Sequence, residues 1–201
     1  MPVSRLVGFP PLAGRDARVL ILGSMPGAAS LAVGRYYAHP RNGFWPIMDA
    51  LLGLPARASY AQRSRALARA GIALWDVVHS CVRDGSLDTS IEHGSVRVND
   101  FARFFATHAG VRLICFNGTT AERLYLRWVA PEAYAPQVPR VRLPSTSPAH
   151  AARSLQVKLQ IWRHALAAEL DGERGRQDRA SARPSASTES TSRRRSSSRV
   201  R

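Results

Sequence analysis

The sequence predicts a three-layer α/β/α sandwich built on a central, mainly parallel four-stranded sheet. Three observations predict it. Short apolar runs alternate with longer amphipathic stretches, the pattern of a parallel sheet covered by helices. Four of those runs have the length and composition of strands. Each of the four ends in a polar or glycine-bearing turn. A chain of 201 residues with 45% hydrophobic content suits one domain with a sizeable core, and it carries no internal repeat.

The elements follow in order. The first strand is read at 18–22 and runs into Gly23-Ser24-Met25-Pro26-Gly27. Ser59 and Gln62 have capping-box spacing at the start of a helix. The second strand, 72–75, ends on Asp76. Phe101, Phe104 and Phe105 repeat at helical spacing and read as core. The third strand, 111–116, passes into Asn117-Gly118, after which Thr119 and Glu122 again have capping-box spacing. The fourth, 139–143, alternates polar and apolar residues, as an edge or half-exposed strand does, and ends in Pro144-Ser145-Thr146-Ser147-Pro148. A last helix over 154–169 turns Leu155, Leu159, Trp162 and Leu166 inward. Ligands of open parallel sheets bind beyond the carboxyl ends of the strands, so the four turns should converge on one site.

Composition narrows the function classes. The formal charge is +15, and residues 1–170 still carry +10 without the Ser/Arg-rich segment 171–201 with its nine Arg. So basic a body points to an anionic partner, nucleic acid before a neutral metabolite, although a merely cationic surface gives the same count. Residues 171–201 have almost no aliphatic content and are expected to form a disordered basic tail on a folded domain of residues 1–170. No run of about 20 apolar residues and no secretory pattern occurs, so no membrane span is expected and the predicted location is the cytoplasm, at the nucleoid. Cys81 and Cys115 read as buried reduced thiols, too few for an iron–sulfur cluster. The six histidines lack metal-ligand spacing, so neither metal nor cofactor is expected.

Gly23-Ser24-Met25-Pro26-Gly27, followed by Tyr36-Tyr37-Ala38-His39-Pro40-Arg41-Asn42-Gly43-Phe44-Trp45, resembles motif 1 of the uracil-DNA glycosylase superfamily, and in detail its hypoxanthine-DNA glycosylase branch. Ser145-Thr146-Ser147-Pro148-Ala149-His150 is similar to motif 2, the loop that pinches DNA. Gly71-Ile72-Ala73-Leu74-Trp75-Asp76 is similar to the strand bearing the base-reading residue, and Phe116-Asn117-Gly118-Thr119-Thr120-Ala121 to the third strand entering its helix. The four elements lie in the family's order over about residues 15–165. The resemblance implies hydrolysis of the N-glycosidic bond of a flipped, deaminated base, with double- or single-stranded DNA as partner and a monomer as the working unit.

What the resemblance implies for single residues is specific. The position that often holds the catalytic water in motif 1 is Met25 here, so Asn42 is assigned as the catalytic residue that positions water. An Asn before Gly43-Phe44-Trp45 equally suits a helix cap. Tyr37 is assigned to stack on the base, with Ser24, Met25 and Asp76 beside it. Tyr36 is read as the buried aromatic partner, and His39 as either structural or functional. Ser145, Thr146 and Ser147 are assigned to phosphate, stiffened by the two prolines. Ala149 stands where relatives insert a bulkier wedge, leaving extrusion to His150 or to mispairing of the damaged base; Arg41, Arg153 and Lys158 are read as phosphate contacts. Asp76, if ionised, only accepts, so it would take the N1–H of hypoxanthine while a backbone N–H near Ser24 serves O6. On that premise Asp76→Asn would lower hypoxanthine release. The competing role for Asp76 is to cap residues 77–80.

Three other readings stay open from residues alone: a uracil or mismatch glycosylase of the same fold, a non-catalytic DNA-binding protein marked by Met25, and a small-molecule enzyme using 23–27 as a phosphate loop. The last lacks both GxxxxGK[ST] and GxGxxG.

Overall fold

The structure, a computed structural model, describes residues 5–181, with side chains through residue 170. Its main sheet has four strands in the order β3-β2-β6-β7: β2 at Val19–Gly23, β3 at Ile72–Asp76, β6 at Leu113–Asn117 and β7 at Arg140–Leu143. All three pairings are parallel, which puts the four carboxyl ends on one edge. β2 and β3 are buried at every residue, which is why they read as continuous apolar runs. β7 lies at the sheet edge and is largely exposed until Leu143, which explains its alternating sequence.

Among the described residues six α-helices accompany the sheet: α1 at Ala28–Val33, α2 at Phe44–Leu52, α3 at Tyr60–Arg69, α4 at Phe101–Thr107, α5 at Thr119–Trp128 and α6 at Leu155–Ser181. α2 packs against α3 and α6, while α5 packs on β2 and β6. Phe101 and Phe104 of α4 are buried against Trp75, and Phe101 meets Tyr125 of α5 edge to face, so this phenylalanine row is core. The Ser59–Gln62 capping box forms in full. The second expected box does not: α5 already begins at Thr119, its cap position is Gly118, and no side chain caps it. Gly118 adopts φ +102°, which a residue with a side chain rarely does, so the turn needs glycine where the sequence suggested a threonine cap.

A second sheet escaped the sequence reading. β1 (Arg5–Val7), β4 (Val78–Val82) and β5 (Arg97–Val98) form a small antiparallel sheet in the order β1-β4-β5. β4 follows β3 after the single residue Val77, so this sheet hangs directly from the end that carries Asp76.

The last helix also differs from expectation. Trp162 and Leu166 are fully buried and Leu159 packs on the core, but Leu155 is 47% exposed. The first turn of α6 therefore faces away from the core, and Lys158 rather than Leu155 is buried there. α6 runs on to Ser181, past the start of the expected tail; residues 182–201 lie outside the described residues. No helix among the described residues is long and apolar enough to cross a membrane. Cys81 and Cys115 are buried free thiols.

Candidate active site

Parallel pairing sets Gly23 beside Asp76 across β2 and β3, and Asn117 beside Leu143 across β6 and β7. The turns after these strands meet, as the sequence reading expected of an open parallel sheet.

The link between motif 1 and motif 2 is Asn117. Its Nδ2 donates to the Tyr37 hydroxyl at 3.0 Å and to Thr146 Oγ1 at 2.8 Å, and its Oδ1 accepts from the Thr146 N–H at 2.9 Å. The two loops touch again where the Gly43 N–H donates to the Thr146 carbonyl at 2.9 Å. Thr146 is thus 2% exposed with its hydroxyl accepting from Asn117, and it is not the phosphate contact the sequence suggested. Its short side chain is consumed in positioning the loop. Ser145 and Ser147 are half-buried and accept from the Ser147 and Ala149 N–H groups, which shapes the turn.

Tyr37 has a left-handed backbone, φ 53°, in a non-glycine residue, a conformation that costs on the order of 1 kcal/mol and tends to mark functional turns. That turn lays its ring on Phe44, with centroids 4.1 Å apart, and brings its hydroxyl to Asn117. Burial, and then the Asp76 carboxyl, push the phenol far above its ordinary range. Tyr36 is the buried aromatic partner, edge-on to Phe9. Asn42 is half-buried on the same loop. Its N–H donates to the His39 carbonyl and its Oδ1 accepts from the Phe44 N–H at 3.0 Å, which fixes the carboxamide; the cap position of α2 is Gly43, so Asn42 stands one residue ahead of the cap the sequence offered it. The Nδ2 of Asn42 makes no hydrogen bond among the described residues. His39 Nδ1 accepts from the Arg41 N–H, a structural bond within the loop.

Asp76 is 3% exposed, and its Oδ2 is buried without a hydrogen-bond partner among the described residues. Its carboxyl lies against Gly23, where an added Cβ would collide with Asp76 Oδ1 and approach the Tyr37 hydroxyl. Burial, and then the charge of Asp88, raise its pKa to about 8, with Arg83 opposing. Burial therefore disfavours the ionised Asp76 on which the acceptor role rests. Nor does Asp76 cap a helix, because residues 78–82 form β4; its carbonyl instead accepts from Asn99 Nδ2.

Asp88 and Arg83 had no role in the sequence reading. Asp88 begins a 3-10 turn at Asp88–Ser90, and the Ser24 hydroxyl donates to its carboxyl oxygens at 2.7 and 2.8 Å. Burial raises the pKa of Asp88, with Ser24 and Arg83 opposing. Arg83 is 3% exposed and ties this segment to motif 1 by donating to the Pro26 carbonyl at 2.6 Å. No local signal in the sequence could reveal these contacts, which join residues 57 and 64 positions apart.

Two other assignments change. Met25 does not turn its side chain to the base site. It is buried with Val78, Cys81 and Ile91 in a separate apolar cluster, where a thioether is best accommodated. Lys158 is 7% exposed, its Nζ donates to the His150 carbonyl at 2.7 Å, and burial lowers its pKa, so it braces the end of motif 2 instead of reaching out to phosphate. Arg41, Ala149, His150 and Arg153 are exposed. A cleft of about 520 Å³ runs between the start of α5, motif 2 and α6, lined by Gly118, Ser145, His150, Arg153 and Lys158 among others, and neither Asp76 nor Tyr37 lines it.

Residues 10–166 match the uracil DNA glycosylase superfamily, and the chain belongs to that superfamily. Within it, the chain is similar to the hypoxanthine DNA glycosylase of Methanosarcina barkeri (strain Fusaro), 37% identical over 112 residues, 55% of this chain and 70% of that protein. It is 36% identical over 115 residues to the hypoxanthine DNA glycosylase of Methanosarcina acetivorans, covering 57% and 72%. A solution NMR structure from Methanosarcina acetivorans, assigned to the uracil DNA glycosylases, superposes with a TM-score of 0.65 at 30% identity over 81% of this chain and 99% of that one.

Proposed function

We propose that this protein is a DNA-deoxyinosine glycosylase, which hydrolyses the N-glycosidic bond of a flipped hypoxanthine. The observation that carries the reading is the fixed carboxamide of Asn42, held by Phe44 and hinged to motif 2 through Gly43, in a chain similar to two hypoxanthine DNA glycosylases. The second lone pair of its Oδ1 and its unengaged Nδ2 can orient one water. That water's oxygen bonds to C1′ while the C1′–N9 bond breaks and its electron pair leaves with the base. One water proton is released, and the departing base gains one. Asn42 positions the nucleophile and abstracts nothing, since an amide is a feeble base. Tyr37 supplies the stacking face, worth about 1–3 kcal/mol per base. Arg41, His150, Arg153 and the half-buried Ser145 and Ser147 meet phosphates. The basic body favours DNA, and the working unit is a monomer acting in the cytoplasm at the nucleoid.

Uracil presents the same N–H and carbonyl pair as hypoxanthine, so a uracil glycosylase is the second reading, favoured by the description of the NMR relative. The test of the first is Asn42→Ala in single-turnover release of hypoxanthine from a duplex with one inosine. The expected result is a loss of about a hundred- to a thousand-fold with DNA affinity retained. Near-normal release by the folded variant would remove Asn42 from the chemistry.

A further inference from the structure

We infer that Asp76 meets the base as a neutral carboxylic acid and donates a hydrogen bond from Oδ2 to the exocyclic oxygen of the leaving base. The inference rests on the glycosylase reading and assigns the protonation state that reading leaves open. Oδ2 is the carboxyl oxygen that is buried without a partner among the described residues, at a strand end where the loops of the site converge. Of the groups around it, only Arg83 favours an anion. From β2 comes Gly23, which has no side chain; from motif 1 comes Tyr37, a phenol kept neutral by burial. From the 3-10 turn comes Asp88, a like charge. Arg83 donates to the Gly85 and Pro26 carbonyls through Nε and Nη2, keeps Nη1 buried without a hydrogen-bond partner, and forms no ion pair with Asp76 among the described residues. A carboxyl so placed holds its proton up to about pH 8.

The chemistry favours the same form. When the C1′–N9 bond breaks, the electron pair moves into the base and negative charge gathers on O6. A donor at O6 is then bound more tightly in the transition state than in the ground state, whereas a carboxylate would repel the leaving group. Oδ1 remains an acceptor for the N1–H. Adenine offers an amino group where this donor expects an oxygen. The proton stays on Asp76 throughout, so the residue sets specificity and leaving-group stabilisation without consuming a reagent.

The test compares the full-length wild type, Asp76→Asn and Asp76→Ala in single-turnover hypoxanthine release from pH 6 to 10. Asp76→Ala should lose about a hundred-fold at pH 7. Asp76→Asn, which keeps a neutral donor, should recover at least about ten-fold of that loss. Relative to Asp76→Asn, the wild-type rate should fall about ten-fold per pH unit above about pH 8. The substrate loses its own N1–H in alkali, and because both proteins share that step the ratio isolates Asp76. A flat ratio, or an Asn variant no better than Ala, would overturn the inference. A second readout needs no turnover: the infrared band of the protonated Asp76 carboxyl, taken as the difference between wild type and Asp76→Asn. Its absence at pH 7 would overturn the donor role alone. Its presence in a wild type that releases no base would overturn the glycosylase reading and the donor role with it.

Discussion

At the ends of β6 and β7, every polar atom of the Asn117 carboxamide has a partner, whereas at the ends of β2 and β3 Asp76 keeps a buried oxygen without one. The first half is neutral: an amide, a threonine hydroxyl and a phenol joined into one network. The second half gathers two carboxyls with raised pKa values, Asp76 and Asp88, around a buried arginine. Buried polar groups are normally satisfied, and an exception calls for an explanation. The satisfied half clamps motif 1 to motif 2, and on the proposed function the unsatisfied half is where the base completes the set.

The sharpest way to break this comparison is Gly23→Ala. Its methyl group would land on the Asp76 carboxyl and crowd the Tyr37 hydroxyl, so excision should fall by at least about a hundred-fold while the sheet still folds. Single-turnover kinetics together with circular dichroism would separate lost activity from lost fold. Asn117→Ala attacks the scaffold half. It leaves the Thr146 N–H and the Tyr37 hydroxyl without a partner, at a cost of about 2–4 kcal/mol in urea denaturation. Loss of activity without loss of stability would mean that Asn117 belongs to the reading half instead.

Asp76→Asn sharpens the comparison through pH. The carboxyl is protonated up to about pH 8 in the folded protein but ionises near 3.8, the ordinary aspartate value, once unfolded. The unfolded chain therefore loses this proton first. The stability tied to it is complete below pH 4 and drains away as pH rises towards 8. The Asn variant escapes that loss. It should match the wild type at pH 4 and exceed it by about 1–3 kcal/mol at pH 8, in denaturation curves at the two pH values. Equal stability at both would mean that Asp76 is an ordinary ionised carboxylate. The smallest effect on chemistry belongs to residues 182–201. Deleting them should make the salt dependence of DNA binding shallower, because Arg residues release counterions from phosphate, and leave the single-turnover rate unchanged.

Much of this edge was legible in the sequence because it is local. Four apolar runs, each closed by a polar turn, were enough to locate β2, β3, β6 and β7 and to expect their ends to meet. The motif residues Tyr37, Asn42, Asp76 and Ser24 all lie within reach of those ends or on the loop joined to them. What stayed hidden depends on packing between distant segments. Met25 looks like a site residue in its motif and is drawn into an apolar cluster formed by β4 and Ile91. Lys158 and Thr146 look like phosphate ligands by type, and the fold buries both in positioning bonds. Asp88 and Arg83 sit in a segment with no pattern of its own, and only the second sheet brings them to motif 1. Asn117 was within sight as the polar residue closing the third strand, in the same place that Asp76 closes the second.

The measurement closest to the central claim is base release by the full-length wild type from one mixture of duplexes, each with a single inosine, a single uracil or only normal bases, followed by chromatography of the free bases. The account predicts hypoxanthine as the main product and no adenine. Uracil as the main product would contradict the assignment of substrate, and no free base at all would contradict the assignment of an enzyme.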